Sequence, residues 1–227
     1  MLKRFLKTED TGKIFEYAIC LAYNISYDGP YKYSVKEAEL LKERLEKLPQ
    51  LFPTCKHTAK RGSRYDYTAS TEPDLHLSAK TSKKRKGKVA PQVIGQSQPT
   101  KFCELLGIPF VDIPTLKKHI QENPVQILPL LLSYTLDCPN IYYNKELETI
   151  RFITMKTPID WSKYTYSWSC NWSEWNNSSV LKIVTSEKTV PLVEFQFHSK
   201  SRTNMAVRWC YDEFLTFFND NLNIVTL

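Results

Sequence analysis

Asp66 and Lys80 are the residues of this chain whose types and spacing suit a reaction best. Residues 63–88, SRYDYTASTEPDLHLSAKTSKKRKGK, hold two short alternating stretches around a turn. Strand side chains alternate with period two. Leu75, Leu77 and Ala79 therefore point one way, and His76, Ser78 and Lys80 point the other. The tetrad Thr71, Glu72, Pro73, Asp74 has the residue types of a turn. A hairpin about that turn brings Asp66 opposite the Ser78 to Lys80 end. A carboxylate beside a lysine at a strand end, followed by a run of cations, suits metal-assisted phosphodiester hydrolysis. That reaction needs an activated water, neutralised phosphate charge and a stabilised leaving oxygen. Mg²⁺ on carboxylates can serve all three needs, and a lysine can orient or deprotonate water and face the phosphate.

Other elements must position these groups. Residues 12–24, GKIFEYAICLAYN, read as a buried helix in which Glu16 is the only charge between Ile14 and Tyr27. A lone carboxylate is costly to bury without a partner, so Glu16 either pairs at the helix edge or faces a metal. Ser34 and Glu37 form a capping box before KEAELLKERLEKL, which Pro49 is expected to stop. Lys56, His57, Lys60, Arg61 and Arg64 make the following loop basic. Lys80, Lys83, Lys84, Arg85, Lys86 and Lys88 give six cations with no acid among them. This run extends the Lys80 strand, which favours a phosphate contact over a merely solvated loop.

Residues 89–107 carry a Gln-rich turn (Gln92, Gln96, Gln98) and a short helix that Thr100 can cap and Gly107 can end. Helical pieces with Pro breaks follow to Cys138, and residues 140–156 read as strand. Residues 161–177 contain four of the five tryptophans. These can stack on bases or form one face of an amphipathic strand. VLKIVTS, PLVEFQFHS and MAVRW read as antiparallel strands, and a helix over residues 211–222 is expected to close the chain. Glu194 and Gln196 are a rival acid-x-polar pair on a strand, although His198, Lys200, Arg202 and Arg208 beside them favour DNA contact.

At 227 residues the chain can bury a sizeable core. Its net charge of +7 favours a polyanionic partner. No apolar run approaches the roughly 20 residues of a membrane span. The N-terminus has charges where a signal peptide needs an apolar core. The expectation is a soluble, cytoplasmic protein with no membrane partner. Six scattered cysteines read as buried free thiols.

These residues resemble the PD-(D/E)XK nucleases, and within them the type II restriction endonucleases. The match runs through Asp66, then Ser78-Ala79-Lys80, then Glu16. LSAKTSKK…APQVIGQSQPTKF and VEFQFHSKSRTNMAVRW are also similar to blocks of restriction enzymes. The resemblance implies an α/β (α+β) fold, with a mixed central sheet flanked by helices and a strand-rich, DNA-gripping C-terminal half. It further implies one endonuclease domain over residues 1–227, with a catalytic core over about 1–125 and a recognition subregion over about 140–210. The implied activity is Mg²⁺-dependent cleavage of double-stranded DNA at a palindromic site by a homodimer, beside a companion DNA methyltransferase. Asp66, Asp74 and Glu16 are the implied metal ligands, with Lys80 and Ser78 completing the catalytic set. Lys83, Lys84, Arg85, Lys86, Gln92, Gln96, Gln98, His198, Lys200, Arg202 and Arg208 are the implied DNA contacts.

Two departures from the family pattern stand out. Ser78 occupies the place of the second acid. Pro73-Asp74 spells the family's opening letters, yet Asp74 is four residues before Ser78, roughly 13 Å along an extended strand at about 3.3 Å per residue. Asp66 therefore ranks ahead of Asp74. The competing readings are a non-catalytic DNA-binding protein, which explains the charge without the Asp66/Lys80 pair, and a structure-specific nuclease on the same core.

Overall fold

Ile14, Phe15, Ala18 and Ile19 recur at helical spacing and are all buried, which places one apolar stripe of α1 (Thr8–Tyr23) against a sheet. The chain continues through α2 (Val35–Lys42), α3 (Leu48–Leu51), β1 (Cys55–His57), β2 (Tyr67–Ala69), β3 (His76–Ser82), β4 (Lys88–Val89), α4 (Pro99–Leu106), α5 (Ile113–Glu122) and α6 (Pro124–Ser133). It then forms β5 (Asn140–Asn144), β6 (Thr149–Met155), β7 (Thr165–Trp168), β8 (Ser178–Val184), β9 (Thr189–Phe197), β10 (Met205–Cys210), α7 (Tyr211–Phe217) and β11 (Leu222–Thr226). This computed structural model describes residues 8–59, 63–198 and 204–227. The expected mixed α+β class is what these elements form. Among the described residues no helix is long and apolar enough to cross a membrane.

Two compact units divide the chain. The first comprises Met1–Gly87, Cys138–Lys156 and Leu222–Leu227; the second comprises Lys88–Asp137 and Thr157–Asn221. In the first unit a six-stranded sheet runs in the order β1-β2-β3-β5-β6-β11. Only β3 and β5 pair in parallel there, Ser78 standing beside Asn140, Lys80 beside Tyr142 and Ser82 beside Asn144. The face carrying Leu77, Ile141, Ile150 and Phe152 packs with Ile14, Phe15, Ala18 and Ile19 of α1. The opposite face of β3 and β5 carries Ser78, Lys80, Ser82, Asn140, Tyr142 and Asn144.

In the second unit a five-stranded antiparallel sheet runs in the order β4-β10-β9-β8-β7. Trp209 on β10 is fully buried, stacks on Trp161 at 6.3 Å between ring centroids, and donates its indole N–H to Thr135 Oγ1 at 2.8 Å. Trp161 and Trp175 are likewise buried, so half of the tryptophan-rich segment builds core. Trp172 stays exposed, with the Lys118 ammonium 5.9 Å from its ring centroid.

Several boundaries differ from expectation. Ser34 caps α2 through the Glu37 N–H at 3.2 Å, but the helix tightens to 3₁₀ at Glu43–Leu45, and Pro49 lies in the first turn of α3 instead of ending a helix. Proline lacks an N–H, which a first helical turn does not need. The same logic puts Pro99 at the start of α4 with Gln98 as cap, so Thr100 lies inside, while Gly107 ends the helix at φ 70°. The terminal segment is α7 followed by β11, which pairs antiparallel with β6; a helix reaching Leu222 is not what forms. All six cysteines are free. Burial pushes the Cys20 and Cys55 thiols up to about 12, which keeps both protonated and inert at neutral pH.

Candidate active site

The hairpin forms in the expected register. β2 and β3 pair antiparallel through Tyr67 with Leu77 and Thr68 with His76, and one further step sets Asp66 against Ser78. The backbone of Asp66 is tied on both sides: its N–H donates to Leu77 O at 3.3 Å, and its carbonyl accepts the Thr58 N–H at 2.8 Å. Its carboxylate Oδ2 accepts the Ala79 N–H at 2.8 Å and the Ser78 hydroxyl at 3.2 Å. Asp74 instead lies exposed in the turn at the far end of the hairpin, where the Leu75 N–H closes onto Glu72 O at 2.9 Å.

Ser78 is fully buried against this carboxylate. A second acid at that position would set like charges together in a low dielectric, whereas a hydroxyl donates to the first. Burial raises the Asp66 carboxyl above its ordinary value. The Lys80 ammonium opposes the rise, Glu16 adds to it, and the Ala79 N–H and Ser78 hydroxyl oppose it. Folding stability from such a group is complete below the unfolded value of 3.8 and falls as pH climbs through the raised folded value. Asp66→Asn is therefore expected to be more stable than the native chain at pH 7 and to lose that advantage as the pH approaches 3.8. Urea midpoints across a pH series measure it; a native chain equal to or above the variant at pH 7 contradicts it.

Glu16 is buried on α1. Its Oε2 pairs with Lys13 Nζ at 2.7 Å and faces His57 Nε2 at 3.5 Å. The helix is tied to the hairpin at this level by Tyr67, whose hydroxyl donates to the Glu16 backbone carbonyl at 2.6 Å. Gly12, one turn earlier, faces β3, where even an added Cβ would sit in ordinary contact with Thr81 Oγ1 at 3.7 Å. Tyr67→Phe removes the tie and is expected to cost about 1 kcal/mol, read as a lowered urea midpoint in the unit that holds α1.

The basic run beyond Lys80 is a fixed turn. Asn144 is fully buried, and its amide N–H groups donate to Lys84 O at 3.1 Å and Arg85 O at 3.2 Å. The Arg85 N–H donates to Glu146 Oε2 at 3.0 Å, and Ser82 Oγ lies 2.6 Å from Tyr142 OH. With the carbonyls held inward, Lys84, Arg85 and Lys86 stand exposed and Lys83 is partly buried.

The other expected DNA contacts lie in the second unit. Gln92 is buried, whereas Gln96 and Gln98 are exposed. His198 is half-buried. Arg208 stands opposite Glu194 across β9 and β10, its Nε 3.3 Å from Glu194 Oε2, while Lys88 Nζ holds Glu194 Oε1 at 2.8 Å. Arg208 also donates to Gln196 Oε1. Glu194 and Gln196 are thus engaged by cations of their own sheet. Lys200 and Arg202, like Lys60 and Arg61, fall outside the described residues.

The structure brings Asp66, Ser78 and Lys80 onto one strand-pair end, with Glu16 close enough to act on Asp66 electrostatically. Sequence reasoning missed three supporting residues: His57, Tyr67 and Asn144. The signal for the first was the alternation of Cys55, Lys56 and His57, which is buried, exposed, buried on β1.

Compared with characterised proteins, the chain is 39% identical over 225 residues to the type II restriction enzyme CviAII of Paramecium bursaria Chlorella virus 1. The alignment takes in 98% of this chain but 64% of that protein, so the chain spans about 64% of its relative's length. No family model matches the chain, and no solved structure matches it.

Proposed function

We propose that this chain is a type II site-specific deoxyribonuclease that hydrolyses phosphodiester bonds of double-stranded DNA with Mg²⁺. The observation that carries the reading is the Asp66 carboxylate, enclosed by protein, held by the Ala79 N–H and Ser78 hydroxyl of β3, and acted on by Lys80, two residues beyond Ser78 on β3. Likeness to a type II restriction enzyme over nearly the whole chain supports the same class of reaction.

Among the described residues no group of three or more His, Cys, Asp or Glu is set to hold a metal. Two carboxylates, Asp66 and Glu16, are the donor set on offer. That set fits Mg²⁺, a hard cation that keeps several waters and takes phosphate oxygens alongside one or two carboxylates. When bound, the cation acidifies a coordinated water and neutralises charge building on the phosphate. Glu16 already raises the Asp66 carboxyl, and a cation held by these acids would offset that penalty. Ser78 and the Ala79 N–H fix the Asp66 rotamer, so its orientation costs nothing when DNA arrives. Lys80 faces the phosphate from the same strand face, orients the attacking water, and takes up charge as the new P–O bond forms and the old one breaks.

The exposed cations of the Lys83–Lys86 turn meet the DNA backbone, and their fixed carbonyls mean that no loop must order on binding. Gln96, Gln98 and His198 of the second unit contact DNA, a role that the sequence also suggests for Lys200 and Arg202. The whole chain, residues 1–227, works as one endonuclease. It acts as a homodimer whose two-fold axis matches a palindromic site, in the cytoplasm, beside a methyltransferase that protects host DNA.

Digestion of unmethylated plasmid and sequencing of the ends test this. Discrete Mg²⁺-dependent fragments with one terminal sequence are expected. Intact but gel-shifted plasmid contradicts hydrolysis and supports a binding module, and cutting confined to branched DNA supports the structure-specific nuclease.

A further inference from the structure

His57 is a buried polar side chain to which the reaction above gives no task. It ends β1 opposite Tyr67 of β2, and its side chain is 0% exposed. The ring stacks on Tyr27 at 4.4 Å between centroids and meets Tyr67 at 5.2 Å. Its Nδ1 accepts the Asp28 backbone N–H at 2.9 Å. An accepting Nδ1 carries no proton, so the proton of the neutral imidazole sits on Nε2. That atom is buried without a hydrogen-bond partner and lies 3.5 Å from Glu16 Oε2.

We infer that His57 is a positioning residue for Glu16: its enclosed Nε2–H, fixed by the Asp28 amide and by two tyrosine rings, faces Glu16 Oε2 at 3.5 Å and limits where that carboxylate can sit when it takes a divalent cation. The inference rests on the nuclease reading above. Lys13 and His57 both approach Glu16 Oε2, beside the Tyr27 hydroxyl that also bonds Glu16, and the two differ in what they do to a cation. Lys13 is 30% exposed and brings a positive charge that opposes a dication. His57 is enclosed, and with Nδ1 accepting it sets an uncharged N–H before the carboxylate, which does not compete with a cation. Partners of this kind fix a ligand's orientation and raise its basicity, and losing one costs about 10- to 100-fold in metal affinity.

His57→Phe keeps a ring between Tyr27 and Tyr67 and removes the donor, while His57→Gln restores an N–H near the Nε2 position. Mn²⁺ serves as probe in two readouts on the full chain: free Mn²⁺ by electron paramagnetic resonance during titration of the protein, and the Mn²⁺ concentration for half-maximal plasmid cleavage. The expected result is about a 10-fold or greater rise of both in His57→Phe, with most of it recovered in His57→Gln. In a Glu16→Gln background, His57→Phe is expected to add nothing, an outcome that general loss of packing does not produce. Equal Mn²⁺ affinity in His57→Phe and the native chain overturns the role of His57 while leaving the nuclease reading intact. A native chain that cuts no DNA at any Mn²⁺ concentration overturns the nuclease reading itself.

Discussion

Asp66→Ala is expected to slow DNA cleavage by about 10³-fold, or about 4 kcal/mol of transition-state stabilisation. The substitution removes the carboxylate that is both enclosed and aimed by two donors, the Ala79 N–H at 2.8 Å and the Ser78 hydroxyl at 3.2 Å. On the proposed reading Glu16 would be the side-chain ligand left to a cation, and Lys80 loses the charge that acts on it. The loss belongs in kcat, because the cations proposed to meet the DNA backbone, those exposed in the Lys83–Lys86 turn, are untouched. Gel-shift affinity without divalent cation is therefore expected to stay within about 3-fold of the native value. Single-turnover cleavage measures the first quantity. A variant that cuts at the native rate, with Asp74→Ala inactive instead, means that the exposed turn residue is the working carboxylate.

Trp209→Ala is the largest expected loss of stability, about 3–5 kcal/mol. The indole is fully buried in the second unit, stacked on Trp161 and tilted against Phe214 at 4.9 Å. Removing it leaves a cavity that β10 and its sheet neighbours cannot close, and it strips Thr135 Oγ1 of its indole donor at 2.8 Å. Trp209→Phe refills much of the volume without the N–H, so it is expected to recover most of the loss. Urea unfolding followed by near-ultraviolet circular dichroism reports both. A midpoint in Trp209→Ala equal to the native one contradicts this packing.

The active-site hairpin was legible because its determinants are local. Period-two alternation and a Pro-Asp turn set the β2 and β3 register, and register alone carries Asp66 to Ser78. Gly107 and Ser34 were legible for the same reason, each acting through its own backbone. What escaped was set by partners far along the chain. β3 pairs in parallel with β5 across more than fifty intervening residues, and no local period encodes that choice. The terminal helix was expected to run on to Leu222, but Leu222 opens β11, to which β6 offers a free edge, and pairing overrides propensity. Asn144 sits in an ordinary strand pattern; its work lies in the carbonyls of Lys84 and Arg85, which only the fold brings to it. The division into two units was hidden too, because each is assembled from separated stretches of chain.

The site itself was half legible. The residue types of Asp66 and Lys80 suggested the chemistry proposed for them, and the lone charge of Glu16 in an apolar helix announced a constraint. Ser78 looked like a defect against the family pattern; in place it is a buried donor to Asp66. His57 looked like one more member of a basic loop, and it proves to be enclosed beside Glu16.

The most direct test of the account is one gel. Unmethylated plasmid is incubated with the native chain, with Asp66→Ala and with Lys80→Ala, each with Mg²⁺ and with EDTA. Discrete fragments are expected in the native Mg²⁺ lane alone. Fragments of the same pattern from either variant, or from the native chain in EDTA, contradict it.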